Sequence, residues 1–457
     1  MKKYDVIVIG SGAGMGVASD ALSSGYKVAV VDKGPLGGTC LNLGCIPSKL
    51  LIFPADRVAE IENSKKLGVE ASITKIRFRE IMERMRSSIA EDRNGMREGI
   101  KQAKNLDFYE STGYFVDDYT VEVDGKRIIG EKIFIAAGAR PHIPDVKGLD
   151  KIEYLTNESI LDLNELPKSV VVLGGGYIAC EFGHFLAGMG SEVTIIQRNS
   201  RLVANEEPEI SDLLLNEMSK RMKIHTNTEV IEVLQKDGLV NVIGKVKDSE
   251  KTIEVNAERI LVAGGRVPNS DLLKVQNTGV ETDSRGYIKV DEYLKTSKEN
   301  IWAFGDVIGK YMFRHSANKE AVYAWHNSIH EKKVPMDYSA IPHAIFSYPE
   351  IASVGIGESE AKKSHKILIG YAKYNSVAKG IAMLEEETFA KAIVDKENNK
   401  ILGFHIIGPY ASILIQEVIN VMANNMDMRA IFKGIHIHPA LPELIPSTLG
   451  NLMEPED

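Results

Sequence analysis

The chain has 457 residues, of which 44% are hydrophobic and 26% are charged, a balance typical of soluble globular proteins with about three domains. Its 55 basic and 63 acidic residues give a net charge of −8, which argues against nucleic acid as the main partner. No uninterrupted apolar run reaches the roughly 18 residues of a membrane helix, and no targeting segment is recognisable. We therefore expect a cytoplasmic protein without membrane association.

The first strand-like run, DVIVIG, leads into a glycine turn at Gly10 and Gly12. Such a turn lets the backbone approach a pyrophosphate, and the helix behind it offers free N–H groups and the positive end of its dipole. Asp32 ends the next strand, where an acid would bind a ribose diol. Met15 replaces the third glycine of the GxGxxG pattern, with Gly14 beside it. The pattern indicates a dinucleotide site, and a merely structural glycine turn is the alternative.

Cys40 and Cys45 follow in the segment GGTCLNLGCIPSK. Residues five apart rise ~7.5 Å along a regular helix, so a disulfide between them requires a distorted turn, which Gly44 can provide. A strained, accessible disulfide tends to be catalytic and not structural. Two unbridged core cysteines are the alternative. Three cysteines are too few for a secreted disulfide framework, and we interpret the third, Cys180, as a packing residue.

Further along, residues 76–104 carry mixed charges at helical spacing and predict a long amphipathic helix. Strand-like pieces near 131–141 and 258–268 both end in an Ala-Gly turn. After about residue 338 the pattern changes to strands around IASVGIG and FAKAIVD and a helix over 412–424. This last region indicates an α+β domain.

A second glycine turn, GGGYIA at 174–179, fits GxGxxA between a strand and a helix. It lies about 160 residues after the first, which indicates a duplicated dinucleotide-binding fold. The strand after it ends at Gln197 and not at an acid, and Arg198 and Arg201 follow. Because guanidinium groups pair with phosphate, the sequence predicts a preference for NADP(H) over NAD(H). Two surface arginines in a loop are the alternative.

The segment GIHIHPALPEL holds His436, His438 and Glu443. A histidine oriented by a carboxylate is the usual device for moving protons near neutral pH. On spacing alone, His-x-His equally fits a fragment of a metal site or a surface strand. No further Cys or His nearby completes a metal set, so no metal site is predicted.

Together, these motifs resemble the class I pyridine nucleotide–disulfide oxidoreductase family of glutathione reductase, mycothione reductase and dihydrolipoamide dehydrogenase, along essentially the whole chain. GGTCLNLGCIPSK is similar to the redox segment of dihydrolipoamide dehydrogenases, IWAFGDV to the second flavin motif, and HPALPE to the terminal HPTLSE, with Pro442 in place of Ser. The resemblance implies an α/β fold with two dinucleotide-binding, Rossmann-like domains and a C-terminal α+β dimerisation domain. The implied boundaries are 1–145 for the FAD-binding domain, 146–265 for the NAD(P)-binding domain, 266–337 for the central domain and 338–457 for the interface domain.

The resemblance also implies the roles of the catalytic residues. Cys45 would face the flavin as the charge-transfer thiolate, and Cys40 would exchange with the substrate sulfur. His438, oriented by Glu443, would serve the cysteine pair of the other subunit in a homodimer. The implied cofactors are FAD and either NADP(H) or NAD(H).

Several further residues are expected at the cofactors through the same resemblance. Asp306 would hold the ribityl chain, Lys49 and Glu181 would form an ion pair beside the flavin ring, and Tyr177 matches the gating tyrosine of glutathione reductase. The full set of expected cofactor residues is Gly10, Gly12, Gly14, Asp32, Lys33, Thr39, Lys49, Gly138, Asp306, Ala317, Gly174, Gly176, Tyr177, Ala179, Glu181, Arg198, Arg201 and Gly265.

Two activities compete. The redox segment favours dihydrolipoamide dehydrogenase, for which a 2-oxoacid dehydrogenase complex is a compatible partner that would supply the lipoyl group. The nicotinamide site, with Tyr177, Ala179 and the two arginines, favours an NADPH-dependent reductase of a low-molecular-weight disulfide. We favour the first. Mercuric reductase and high-molecular-weight thioredoxin reductase are disfavoured because the tail NLMEPED has no cysteine pair. A redox-inert flavoprotein is disfavoured because both the cysteine pair and the His-Glu dyad are present.

Overall fold

The computed structural model describes residues 1–424 and 427–455. Its strands are β1 (Lys2–Ile9), β2 (Val28–Asp32), β3 (Leu106–Glu110), β4 (Tyr114–Asp117), β5 (Thr120–Val123), β6 (Lys126–Ile135), β7 (Ala139–Pro141), β8 (Ser169–Leu173), β9 (Glu192–Ile196), β10 (Lys223–His225), β11 (Thr228–Lys236), β12 (Leu239–Val246), β13 (Thr252–Ala257), β14 (Arg259–Val262), β15 (Arg266–Pro268), β16 (Ile301–Ala303), β17 (Pro342–Ile345), β18 (Ile351–Gly355), β19 (Ile367–Lys373), β20 (Phe389–Asp395) and β21 (Ile401–Ile407). Its α-helices are α1 (Gly14–Ser23), α2 (Gly38–Asn42), α3 (Cys45–Asn63), α4 (Phe78–Gln102), α5 (Tyr177–Met189), α6 (Pro208–Ser219), α7 (Ser270–Leu273), α8 (Arg314–Ile329), α9 (Glu358–Ala361), α10 (Ala378–Met383), α11 (Ala411–Asn424), α12 (Arg429–Lys433) and α13 (Leu444–Gly450).

The first of two compact units comprises residues 1–50, 82–143 and 265–337. Its parallel strands lie in the order β3-β2-β1-β6-β16, and β5 and β4 continue the sheet beyond β6 in antiparallel fashion. The apolar run at the end of β1 is buried, as expected for a parallel strand that is covered on both faces. This strand order is that of a Rossmann-like dinucleotide-binding domain.

The second unit comprises residues 51–81, 144–264 and 338–457. It contains a parallel sheet in the order β10-β9-β8-β14, which repeats the Rossmann-like arrangement. An antiparallel sheet, β11-β12-β13, follows it in the chain, and β17-β18-β21-β20-β19 form a five-stranded antiparallel sheet near the C-terminus. Helices α11 and α13 pack their apolar faces into the core of this last sheet. The predicted mixed α/β fold with two Rossmann-like sheets and a C-terminal α+β region is confirmed.

The two glycine turns occupy equivalent places in the two parallel sheets. Gly10 has φ +108°, and a Cβ built on it would lie 2.2 Å from the carbonyl oxygen of Ala136, just after β6. Gly174 has φ +115°, and its Cβ would lie 2.4 Å from the carbonyl oxygen of Ala263, just after β14. Glycine is required at both positions because a side chain would be strained and would strike backbone. The two glycine turns of the predicted duplication therefore pack against the neighbouring backbone in the same way.

Two predicted helices are also confirmed. The amphipathic pattern over 76–104 forms α4, and the predicted C-terminal helix forms α11. Within residues 1–424 and 427–455, the structure has no helix whose length and apolar character would let it cross a membrane.

Candidate active site

The two cysteines lie on either side of a break between helices. Cys40 is in α2, which ends at Asn42, and Cys45 begins α3. Leu43 and Gly44 interrupt the helical path, and a Cβ on Gly44 would approach the carbonyl oxygen of Thr39 to 3.1 Å. The irregular turn predicted from the spacing is thus present. Both cysteines are free thiols, with Cys40 half-buried and Cys45 exposed.

The thiols of Cys40 and Cys45 interact directly. A hydrogen bond with Cys45, together with burial, raises the pKa of the Cys40 thiol, and the positive charge of Arg314 opposes this shift. Two neighbouring thiols that interact in this way can form a disulfide on oxidation.

The glycine turn after β1 has the features of a pyrophosphate site. A Cβ on Gly12 would meet Arg314 Nη1 at 3.7 Å, an ordinary contact, so the turn is open and a cation lies beside it. The Asp32 carboxylate accepts hydrogen bonds from the backbone N–H of Ser11 at 2.5 Å and of Gly34 at 2.8 Å. These bonds fix the carboxylate at the end of β2, where an acid would meet a ribose.

Asp306 lies in the same unit, in a short 3-10 turn after β16. Its Oδ2 is 3.5 Å from Nε of the buried Arg266. Burial raises the pKa of Asp306, and the guanidinium of Arg266 opposes the shift. In the part of the chain that the structure describes, Arg266 Nε and the buried hydroxyl of Ser316 have no hydrogen-bond partner. Buried polar atoms are normally paired, so these atoms fit a polar ligand such as a flavin nucleotide.

The second glycine turn leads into α5, which begins at Tyr177. Gly176 precedes the helix, and within the described ranges no atom lies within 4 Å of a Cβ built on it. Ala179 is fully buried, which allows close packing of helix and sheet. Cys180 is buried in the same helix, and burial raises its pKa, in agreement with its interpretation as a packing residue. The turn therefore has the open backbone that a second dinucleotide requires.

The residues after β9 differ in how they are held. The buried Gln197 donates from Nε2 to the carbonyl oxygen of Arg201 at 3.2 Å. Arg201 makes a bidentate ion pair with Asp212 of α6, at 2.7 and 3.1 Å. Arg198 is exposed and forms no ion pair with any residue in 1–424 or 427–455. Of the two predicted phosphate-binding arginines, Arg198 is thus the one without a competing carboxylate.

The C-terminal dyad forms as the spacing predicts. His438 Nδ1 lies 2.8 Å from Glu443 Oε1, and Glu443 Oε2 accepts the backbone N–H of Ala440 at 2.9 Å. This backbone hydrogen bond and the contact with His438 lower the pKa of Glu443. Because an ionised carboxylate accepts the Nδ1 proton, Nε2 of His438 is left as the basic nitrogen. The His438 side chain is 73% exposed, so this nitrogen can be reached from outside the chain.

His436 has a separate partner, since its Nε2 lies 3.0 Å from Oε1 of Glu417. The two histidines therefore contact different carboxylates. Across residues 1–424 and 427–455, the structure contains no cluster of three or more His, Cys, Asp and Glu side chains suited to a metal ion.

The expected cofactor residues divide between the two units. The first unit holds Gly10, Gly12, Gly14, Asp32, Lys33, Thr39, Lys49, Gly138, Gly265, Asp306 and Ala317, and the second holds Gly174, Gly176, Tyr177, Ala179, Glu181, Arg198 and Arg201. In the second unit, the buried Glu181 accepts the backbone N–H of Phe346 at 3.1 Å. The ion pair between Lys49 and Glu181 stays a prediction.

Two residues near the first dinucleotide site could not be identified from the sequence. Arg266 pairs with Asp306, 40 positions away, and Arg314 lies beside Gly12, about 300 positions away. No local motif connects either pair. For Arg266, the sequence does contain one indication, since the residue stands directly after the turn of the AGGRVP segment.

Comparison with known proteins decides the family. The model of the pyridine nucleotide-disulphide oxidoreductases matches residues 4–321, and the model of their dimerisation domain matches residues 341–448. The chain belongs to the pyridine nucleotide-disulphide oxidoreductase family. This family uses FAD and a nicotinamide nucleotide, and the chain carries its dimerisation domain.

Relatives within this family differ in substrate. A mycothione reductase from Mycobacterium tuberculosis is 32% identical, over 99% of this chain and 100% of that protein. A dihydrolipoyl dehydrogenase from Geobacillus stearothermophilus is 35% identical, over 96% of this chain and 94% of that protein. The solved structure of the HOCl-induced flavoprotein disulfide reductase RclA from Escherichia coli matches with a TM-score of 0.87 and 27% identity, over 98% of this chain and 99% of that one. The oxidoreductase class is therefore established, and the substrate is a separate question.

The two histidines provide a matched test of the dyad. If His438 is the catalytic base, we expect His438→Gln to lower kcat by about 10²- to 10⁴-fold, because the variant lacks the nitrogen that would accept the thiol proton. His436→Gln, two positions away, should keep kcat within about twofold, because its partner is Glu417 and not Glu443. Steady-state turnover of both variants is the measurement. Equal activities for the two would exclude His438 as the base.

Proposed function

We propose that this oxidoreductase is a dihydrolipoamide dehydrogenase, which oxidises a dihydrolipoyl group and reduces a nicotinamide nucleotide. The observation that supports it most is the segment GGTCLNLGCIPSK, which is similar to the redox segment of dihydrolipoamide dehydrogenases and holds the interacting thiols of Cys40 and Cys45 on either side of the helix break. Chain-long similarity to a dihydrolipoyl dehydrogenase agrees with this proposal. A 2-oxoacid dehydrogenase complex is the kind of partner that would present the lipoyl group.

FAD, when bound, supplies a two-electron relay between the nicotinamide and the cysteine pair. In this proposal, the open turn at Gly12 and the N-terminus of α1 bind its pyrophosphate, and Asp32 binds a ribose. Asp306, held by Arg266, binds the ribityl chain. The second turn, from Gly174 to Gly176, binds the nicotinamide nucleotide.

The cysteines carry out thiol–disulfide exchange. A substrate thiolate attacks the Cys40 sulfur of the oxidised pair, and a mixed disulfide forms while Cys45 leaves as a thiolate. The second substrate thiolate then closes the substrate disulfide and releases Cys40, which takes up a proton. The raised pKa of Cys40 agrees with its role as the protonated member of the reduced pair. His438 accepts the protons of the attacking thiols and returns one to Cys40.

The active site is proposed to be shared between two subunits of a homodimer. The segment around His438 supports this arrangement, because Ile435 is 100% exposed and Ile437 is 78% exposed in the single chain. Exposed apolar side chains beside a functional residue are typical of an interface. His438 of the partner subunit would thus serve Cys40 and Cys45, with Glu443 orienting the imidazole.

A second candidate is an NADPH-dependent reductase of a low-molecular-weight disulfide. The exposed Arg198 without an ion-pair partner in the described residues, together with Tyr177 at the start of α5, favours it. The similarity to a mycothione reductase over 99% of this chain agrees with it as well. Both candidates use the same thiols, and they differ in the compound that meets Cys40.

A substrate screen with a cysteine variant tests the proposal. Among dihydrolipoamide, lipoamide, glutathione disulfide and other small disulfides, the lipoyl compounds should give the highest kcat/KM with the favoured nucleotide. Cys45→Ser should abolish turnover and retain FAD, because the exchange needs both sulfurs. Cys180→Ala is the matched control and should keep its activity. Turnover of Cys45→Ser at the unsubstituted rate would refute the role of the pair, and preference for a different disulfide would favour the second candidate.

The nucleotide preference is tested at Arg198. We expect Arg198→Ala to lower kcat/KM for NADPH by about 10- to 100-fold, the range for a lost hydrogen bond to a charged phosphate. The value for NADH should change little, because NADH lacks the 2′-phosphate. Arg259→Ala removes another exposed arginine, from β14, and should change neither value. A strong NADH preference in the unsubstituted enzyme would show that Arg198 and Arg201 do not bind phosphate.

A further inference from the structure

Lys391, in the middle of β20, is a buried cation among carboxylates. Its side chain is 3% exposed, and Nζ lies 2.7 Å from Glu207, 2.9 Å from Glu209 and 2.7 Å from Glu358. Glu207 is 6% exposed, and it also accepts the backbone N–H of Glu358 at 3.0 Å. Burial lowers the pKa of Lys391, but the hydrogen bonds of the three carboxylates outweigh it and raise the pKa overall. Lys391 therefore forms the centre of a cluster of ion pairs with Glu207, Glu209 and Glu358.

Glu206, the neighbour of Glu207, is held by the same sheet. Its side chain is 4% exposed, with Oε1 2.5 Å from His343 Nε2 and Oε2 accepting the hydroxyl of Ser353 at 2.7 Å. Burial raises the pKa of Glu206, but these contacts outweigh it and lower the pKa overall. His343 is in β17 and Ser353 is in β18, so two consecutive acids are anchored on three strands of the C-terminal sheet.

Glu206 and Glu207 lie at the end of the loop that connects β9 to α6. The loop starts after β9 with Arg198, and its Val203, at φ +41°, donates its N–H to the carbonyl oxygen of Gly175 at 2.7 Å. At its other end, Glu206 and Glu207 lead into α6, whose Asp212 holds the guanidinium of Arg201. The loop is thus fixed to the glycine turn at Val203, to Asn227 through the carbonyl oxygen of Asn199, and to the C-terminal sheet through Glu206 and Glu207 just after it.

A purely stabilising role is a poor explanation for this cluster. Burying several charges removes them from water, and replacing a buried ion pair by apolar residues is often neutral or stabilising. What paired charges supply is a defined geometry, because each carboxylate is held by hydrogen bonds to its partner. The segment whose geometry they define here is the one that carries the two arginines.

We propose that Lys391 and His343 are positioning residues for the nicotinamide nucleotide: by holding Glu207 and Glu206 they fix the 198–205 loop in the arrangement in which Arg198 binds the 2′-phosphate. The inference rests on the proposed binding of the nucleotide at the second glycine turn. It assigns to the C-terminal sheet a part in cofactor selection in addition to its dimerisation role. Neither residue touches the nucleotide in this account, and each acts through the loop.

Binding of 2′,5′-ADP and of 5′-AMP to the FAD-loaded enzyme, measured by calorimetry, separates phosphate binding from general nucleotide binding. We expect Lys391→Met to weaken 2′,5′-ADP binding by about tenfold, because the loop then no longer holds Arg198 in charge-assisted contact with the 2′-phosphate. Binding of 5′-AMP, which lacks this phosphate, should stay within about twofold. Lys391→Arg should restore most of the affinity. Lys366→Met, which removes an exposed lysine next to β19 that pairs with Glu397, is the matched control.

A double-variant cycle with Arg198→Ala shows whether the effect passes through the loop. In that background Lys391→Met should weaken 2′,5′-ADP binding no further, because coupled residues are non-additive. Glu206→Gln keeps the shape of the side chain and is expected to show the same selective loss, so it carries the test if Lys391→Met does not fold. If Arg198→Ala alone leaves 2′,5′-ADP binding unchanged, the proposed phosphate site fails and the inference fails with it. If Arg198→Ala weakens binding but Lys391→Met and Glu206→Gln bind both probes like the unsubstituted enzyme, or lose both equally, the inference alone is overturned.

Discussion

The chemistry proposed for this protein depends on an interruption of two residues in a helix. A continuous helix would separate residues five apart by about 7.5 Å along its axis and turn them away from one another. The break at Leu43 and Gly44 brings the thiols of Cys40 and Cys45 into hydrogen-bonding contact. This contact and burial raise the pKa of the Cys40 thiol. Two different tasks, exchange with substrate and transfer to the flavin, can then be assigned to neighbouring and chemically identical side chains.

In the first unit, the candidate dinucleotide site lies close to the cysteine pair along the chain. β1, the glycine turn and α1 form one half of that site, and the cysteine segment starts only five residues after Asp32 ends β2. The second unit repeats the same strand–turn–helix arrangement, which we propose binds the nicotinamide nucleotide. Gly174, like Gly10, has a positive φ and leaves no room for a Cβ beside a backbone carbonyl oxygen. One local solution to phosphate binding thus appears twice in the chain.

The sequence was informative wherever the physical cause is local. The continuous apolar strands, the two glycine turns, the helix over 76–104 and the need for an irregular turn at Gly44 all follow from short-range patterns, and the structure has each of them. The contact between His438 and Glu443 also lies within one short segment. Patterns of this kind carry their own geometry, because the spacing between residues limits where their side chains can lie.

The sequence was uninformative where charges meet across long separations. Arg266 with Asp306, Lys391 with Glu207, and His343 with Glu206 are pairs of charged or polar side chains that lie 40 to 184 positions apart in the chain. Each charged residue reads as an ordinary surface residue until its partner is known. The ion pair of Arg201 with Asp212 shows the same limit, since the sequence treats both arginines of the loop alike.

The central claim is that Cys40 and Cys45 exchange electrons as a pair, and thiol accessibility before and after reduction measures it most directly. The purified enzyme is alkylated anaerobically, with and without prior reduction by the nicotinamide nucleotide, and the peptide that contains Gly37 to Lys49 is quantified by mass spectrometry. We predict that both cysteines are protected in the oxidised enzyme and that both are labelled after reduction, while Cys180 is unchanged in the two states. Equal labelling of Cys40 and Cys45 with and without the nucleotide would contradict the account.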